Sequence, residues 1–188
     1  MISKGNLVTT QLKSILNEIE QEEGIEFSNT QKVLLSVEGS ITSLLDVLYG
    51  RVSIFLLNKY FEPADRQKAE MLDVNEGDEI HYREVLIHGN GKPMIYALSH
   101  IALGRCRKEA HEDLIKGEIP IGKLLKKYEI ESRREIQHIY IEEPDATLRE
   151  LFKTNEKFIS RDYIIIENRQ IVMHTKESFP ISYFKESM

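Results

Sequence analysis

The chain has 188 residues, 41% of them hydrophobic, which fits one domain with a substantial core, or one domain and a short extension. Acidic residues outnumber basic ones by 31 to 25, and the formal charge of −6 argues against a general nucleic-acid or anionic-membrane binder. A single cysteine, Cys106, excludes an intrachain disulfide and fits a reducing cytoplasm; no apolar run approaches the roughly 20 residues of a membrane-spanning helix, and MISKGNLVTTQLKS lacks a signal-peptide core.

In chain order, Leu12, Ile15, Leu16 and Ile19 fall at i, i+3, i+4 and i+7 and predict an amphipathic helix over 9–22, capped by Thr9 or Thr10 and ended before Gly24. A short linker leads to the apolar patch Val33-Leu34-Leu35. Ser40 suits the N-cap of a helix over 41–49, with Ile41, Leu44, Leu45 and Leu48 on one face and Gly50 at its end. The N–H groups of that first turn point out of the helix; they are either satisfied by the cap or available to an anion. Residues 51–62 alternate as a strand stopped by Pro63, and 64–72 fit a short helix.

Residues 79–101 predict a hairpin, because Asn90-Gly91 sits between two apolar-rich runs and both turn residues tolerate positive φ. Alternation puts His81, Arg83, Val85 and Ile87 on one face of its first strand and Ile80, Tyr82, Glu84 and Leu86 on the other. Neither face is cleanly polar, so at least one of Arg83 and Glu84 lies away from bulk water and needs a partner. The commoner partner is a strand-borne ion pair; the sharper alternative is an anionic ligand on Arg83.

Residues 108–115 read as a charged helix broken by Gly117. Pro120 suits the first position of the next helix, whose stripe is Leu124, Leu125 and Tyr128, giving a second helix start with free N–H groups near Ile121. Residues 134–141 read as a strand with Ile136, His138 and Tyr140 opposite Gln137, Ile139 and Ile141. Pro144-Asp145 opens a helix ending near Phe152, and 158–167 with 170–179 form a second hairpin across Asn168-Arg169. Glu177 ends the row Ile171, Met173, Thr175, either at an exposed strand end or in a pocket where a carboxylate works. The sum is five or six hairpin-connected strands with four or five helices between them: α+β with an antiparallel sheet.

Motifs for dinucleotides, phosphates and serine nucleophiles are absent, the six histidines are scattered, and Cys106 reads as a passive thiol. Lys126-Lys127 and Arg133-Arg134 read as solvated basic pairs. The residues alone describe a soluble α+β domain with a candidate small-anion pocket.

Five segments, Val37-Glu38-Gly39-Ser40-Ile41-Thr42, Tyr82-Arg83-Glu84-Val85, Gly89-Asn90-Gly91-Lys92-Pro93, Ile119-Pro120-Ile121-Gly122 and Glu177-Ser178-Phe179-Pro180, go further through their order and spacing. Over about residues 30–184 the chain resembles the chorismate pyruvate-lyase family, and its archaeal-type branch in particular. That family shares its fold with the UTRA ligand-binding domain of GntR-type regulators. The resemblance implies an N-terminal helical extension, 1–29, and a chorismate-lyase-like domain, 30–188, with a single six-stranded antiparallel sheet and helices packed against it. It implies a carbon–oxygen lyase that needs no metal or organic cofactor, eliminating pyruvate from chorismate to leave 4-hydroxybenzoate. Arg83 is then the ligand of the ring carboxylate, helped by the N–H groups of Ile41 and Ile121. Glu177 faces the ring oxygen from which the pyruvyl group leaves, with one residue gapped between Gln170 and Pro180. For the second carboxylate, Arg161, Lys176, Arg133 and His174 are the candidates. The alternative is a UTRA-type sensor domain that binds an aromatic or cyclic carboxylate without chemistry. About 30 residues ahead of the fold are too few for the winged-helix DNA-binding domain of such regulators. No nucleic-acid or membrane partner is expected, and the oligomeric state is open.

Overall fold

The computed structural model describes residues 9–185. Three helices come first: α1 (Thr9–Glu23), α2 (Asn29–Ser36) and α3 (Ile41–Tyr49). Then follow β1 (Ser53–Pro63), α4 (Arg66–Leu72), the hairpin β2 (Glu79–Gly89) and β3 (Lys92–Ile101), two short 3-10 turns, α5 (His111–Lys116) and α6 (Ile121–Lys127). β4 (Arg133–Glu142), α7 (Ala146–Phe152) and the hairpin β5 (Phe158–Glu167) and β6 (Gln170–Pro180) complete the chain. The six strands form one antiparallel sheet in the order β1-β2-β3-β6-β5-β4, so the fold is single-domain α+β as expected.

Both hairpin turns rest on paired left-handed residues. Asn90 and Gly91 take φ of 52° and 74°, and Asn168 and Arg169 take 50° and 65°, the combination that matches the right-handed twist of the flanking strands. On the inner face of the sheet, Leu12 and Leu16 of α1, Leu34 and Leu35 of α2, Leu45 of α3 and Leu124 of α6 share one core with Ile136, Ile159, Ile165 and Phe179. The outer face is covered only at its ends. Leu148 and Phe152 of α7 pack on Leu86, Tyr96 and Phe158, while Ala69 and Leu72 of α4 pack on Ile80.

Several expectations need correction. The linker before Val33 is helix α2: Ser28 caps Gln31 while the Gln31 side chain accepts from the Ser28 N–H, a capping box written in Ser28-Asn29-Thr30-Gln31. The Gln31 side chain, fully buried, also donates to the carbonyls of Ile181 and Tyr183 and ties α2 to the C-terminal segment. Leu48 does not join the buried stripe of α3; it is 37% exposed. Pro63 is the last residue of edge strand β1 instead of lying beyond it, and Pro120 is the N-cap of α6, one position earlier than expected. A bulge between Ile136 and His138 shifts the alternation of β4, so Ile136 and Ile139, expected on opposite faces, share the inner core. Among the described residues no helix is long and apolar enough to cross a membrane.

Candidate functional site

Strand register assembles the site. Arg83 of β2 lies opposite Ser99 of β3, Ser99 opposite Thr175 of β6, and Thr175 opposite Tyr163 of β5, forming one row across the inner face. The next row on that face runs Val85, Ala97, Glu177, Arg161. Directly opposed side chains are about 5 Å apart at Cβ, so residues far apart in sequence become neighbours. Ala97 is the smallest side chain in the second row and leaves space beside Glu177. Ser99 and Thr175 satisfy each other, hydroxyl to hydroxyl, at 3.1 Å.

Arg83 is 3% exposed. Its Nη2 donates to the carbonyls of Gly117 and Ile119, each at 2.9 Å, and its Nε to Gly117 at 3.3 Å. The expected strand-borne ion pair is therefore not formed: Glu84, on the opposite face, accepts from the Tyr96 hydroxyl instead. Burial lowers the Arg83 pKa to about 10, which still leaves the guanidinium charged at neutral pH. Carbonyl oxygens occupy its Nε and Nη2 but do not neutralise its charge. Gly117 ends α5 with φ of 71°, and a Cβ there would lie 3.2 Å from Arg83 Nε, so conformation and close approach both favour glycine.

Two helix starts meet above the rows. Ser40 caps α3 by accepting from the Ser43 N–H at 3.3 Å; the α3 ladder begins at Ser43 and Leu44, leaving the N–H groups of Ile41 and Thr42 outside it. In α6 the Leu124 N–H reaches the Pro120 carbonyl, and the N–H groups of Ile121 and Gly122 precede that bond. A Cβ on Gly122 would fall 2.6 Å from Ser40 Cβ, so only a glycine lets the two starts come this close. Beneath them is a cavity of about 40 Å³, lined by Ile41, Ile121, Arg83, Arg134, Tyr163 and Glu177 among others. That is room for a few water molecules. Arg83, Ile41, Ile121 and Glu177, distant in sequence, thus line one cavity.

Glu177 is 4% exposed, which removes the exposed-strand-end alternative. It is not a lone carboxylate. Arg161 Nε donates to Oε2 at 2.9 Å and the Tyr163 hydroxyl donates to Oε1 at 3.1 Å. Arg161 Nη2 also lies 2.9 Å from Oε2, though out of line for a hydrogen bond, and Nη1 donates to the Val37 carbonyl at 2.8 Å. Burial, reinforced by the Glu177 charge, raises the Tyr163 pKa above the ordinary phenol range, so its hydroxyl stays a donor.

The four candidates for a second cation sort cleanly. Arg161 is next to the cavity but engaged by Glu177. Lys176 and His174 lie on the outer face against Glu142 and Asp162, and Arg133 is exposed and bound to Glu135. The residue that the sequence alone does not reveal is Arg134, because Arg133-Arg134 reads as a solvated basic pair. It shares the inner face with Ile136, two positions on, and that alternation is the signal that finds it. Burial pushes the Cys106 thiol up to about 12, the state of a passive thiol, and among the described residues no group of three His, Cys, Asp or Glu side chains could hold a metal ion.

The family described as chorismate pyruvate-lyase Rv2949c-like matches residues 35–186. A relative from Methanocaldococcus jannaschii, MJ0807, provisionally named a lyase, is 32% identical over 160 residues, covering 81% of this chain and 79% of its own. Among solved structures, the effector domain of PhnF from Mycobacterium smegmatis superposes with a TM-score of 0.65 at 14% identity, over 77% of this chain and 90% of that one. The C-terminal domain of the histidine utilization repressor from Pseudomonas syringae pv. tomato gives a TM-score of 0.57 at 14% identity, over 73% and 97%. At these identities the solved structures establish a shared fold.

Proposed function

The chain belongs to the Rv2949c-like chorismate pyruvate-lyase family, and on that footing we propose that it eliminates pyruvate from chorismate to leave 4-hydroxybenzoate. The observation that carries the reading is Arg83: a buried guanidinium, bonded only to backbone carbonyls, facing a cavity that also holds a carboxylate one strand row away. Arg83 would take the ring carboxylate through a charge-assisted fork, with the first-turn N–H groups of Ile41 and Ile121 completing the cradle. Glu177, steadied by Arg161 and Tyr163, would address the ether oxygen as the bond to the ring breaks.

In the reaction the ring loses one C–H proton and the C–O bond to enolpyruvate, becomes aromatic, and the released enolpyruvate ketonises to pyruvate. Aromatisation drives the step, so the protein's contribution is to fix the reactive conformer and exclude water. A cavity of about 40 Å³ does not admit a substituted ring, so α3 and α6 must part at the Ser40–Gly122 contact for substrate to enter and product to leave.

The shared fold with regulators' effector domains supports one rival: the same residues hold a carboxylate ligand without chemistry. Incubating the purified chain with chorismate and separating the products decides between them. Equimolar 4-hydroxybenzoate and pyruvate are expected. Saturable binding of 4-hydroxybenzoate by folded protein that turns over no chorismate would hand the case to the rival.

A further inference from the structure

Charge on the cavity wall does not balance. The lining side chains include Arg83, Arg134 and Glu177, and Glu177 is already neutralised by Arg161 behind it. Arg83 meets only carbonyl oxygens. Among the described residues Arg134 has no carboxylate within ion-pair distance. Its Nε is buried without a partner, its Nη1 makes one long contact of 3.4 Å to the Glu38 carbonyl, and its guanidinium carbon stands 5.9 Å from the centre of the Tyr163 ring. Two guanidinium groups therefore reach one cavity with no anion for either. Arg83 is buried and Arg134 half-buried with its Nε out of water, so an unmatched charge is costly at the first and an unmet donor at the second.

Position adds to the count. Arg83 is on β2 and Arg134 on β4, four strand spacings apart in the order β2-β3-β6-β5-β4, or about 19 Å along the sheet. Both side chains nevertheless line the same space, so they approach it from opposite sides. A ligand that satisfied both would carry its negative charges on opposite flanks of a compact body.

We propose that Arg134 holds a second carboxylate of the substrate, so that the cavity selects a dicarboxylate over a monocarboxylate. This rests on the lyase reading of the same site. On that reading the group it grips is the carboxylate of the enolpyruvyl ether, which departs with pyruvate. The product keeps only the carboxylate on Arg83, and Arg134 is left unengaged. Arg134 is thus a specificity residue whose hold is released by the reaction itself.

The test measures binding, which separates it from turnover. Calorimetry with the full chain would compare 3-(1-carboxyvinyloxy)benzoate, a stable aromatic dicarboxylate, with 4-hydroxybenzoate. Arg134→Gln is expected to weaken the dicarboxylate about tenfold or more and leave 4-hydroxybenzoate within about twofold, while Arg134→Lys keeps most of the dicarboxylate affinity. An unchanged dicarboxylate affinity, or equal loss for both probes, would overturn the assignment, and equal loss would mean a structural role. Neither probe binding the unaltered protein would overturn it as well. Selective loss without chorismate turnover would retain the dicarboxylate site while removing the lyase.

Discussion

The two faces of the sheet treat charge in opposite ways. On the outer face, side chains answer one another: Lys176 meets Glu142 at 2.7 Å, Asp162 sits between His138 and His174 at 3.1 and 3.2 Å, and Glu62 meets Lys68 at 3.0 Å. On the inner face, one residue away along each strand, three arginines stand against one carboxylate, and Arg83 and Arg134 find backbone or nothing. The outer pairs are half-buried or, at Asp162, buried, but each charge meets an opposite one and leaves little net field. On the inner face a buried cation such as Arg83, with no carboxylate beside it, is costly, and an anionic ligand would offset that cost. The face whose charges are left unanswered is the face that carries the proposed ligand site.

The strongest way to break this comparison is at Arg83. Arg83→Ala should lower kcat/KM for chorismate by about a thousandfold or more, since a charge-assisted fork is lost, and should cost about 2 kcal/mol in urea unfolding because the Gly117 and Ile119 carbonyls lose their donor. Unchanged turnover in a folded variant would mean the inner cation is structural. Next comes the inner ion pair. Glu177→Gln should reduce kcat about a hundredfold and, by stranding the 1%-exposed Arg161, destabilise the fold by about 3 kcal/mol. Replacing both partners, Glu177→Leu with Arg161→Met, should recover stability without activity; failure to recover it would show that the pair serves the fold.

A smaller effect sharpens the roof of the cavity. Gly122→Ala drives a methyl group into Ser40 and should cost about 1–2 kcal/mol by thermal melting. Adding Ser40→Gly, which costs only a few tenths as a cap, should restore most of it, because the atoms met under 3 Å are the Ser40 side chain. Smallest in activity is Lys176→Met on the outer face: the same kcat/KM, with about 1–2 kcal/mol lost because half-buried Glu142 loses its partner. A tenfold fall in activity there would give the outer face a part in function.

Local signals made much of this legible in the sequence. The turn dipeptides, the Ser40 cap and the Pro144-Asp145 opening place both hairpins, α3 and α7 close to where they lie. The period-2 reading also put Arg83 and Glu84 on opposite faces, which the register bears out. What failed was non-local or one residue long. The β4 bulge is invisible to alternation, and α2 lies where the sequence reads as linker although its capping box is present. No local pattern could say that Arg83 would be met by the carbonyls of 117 and 119, or that Arg161 would reach Glu177 across a strand pair. Arg134 escapes notice because a dibasic dipeptide looks solvated, although a strand turns its two members to opposite sides.

Arg83 and Glu84 are adjacent and of opposite sign, which gives the Asn90-Gly91 turn a significance beyond folding. Strand side chains repeat every two residues, so slipping β2 by one position against β3 would exchange the pair: Glu84 would face the cavity and Arg83 the outer surface. The proposed receptor for an anion would become a repeller of anions with no change in composition. Insertions and deletions of a single residue between positions 79 and 89 should therefore be far rarer among functional descendants of this chain than substitutions at the same positions. A turn several residues from the cavity keeps the polarity of the cavity wall from inverting.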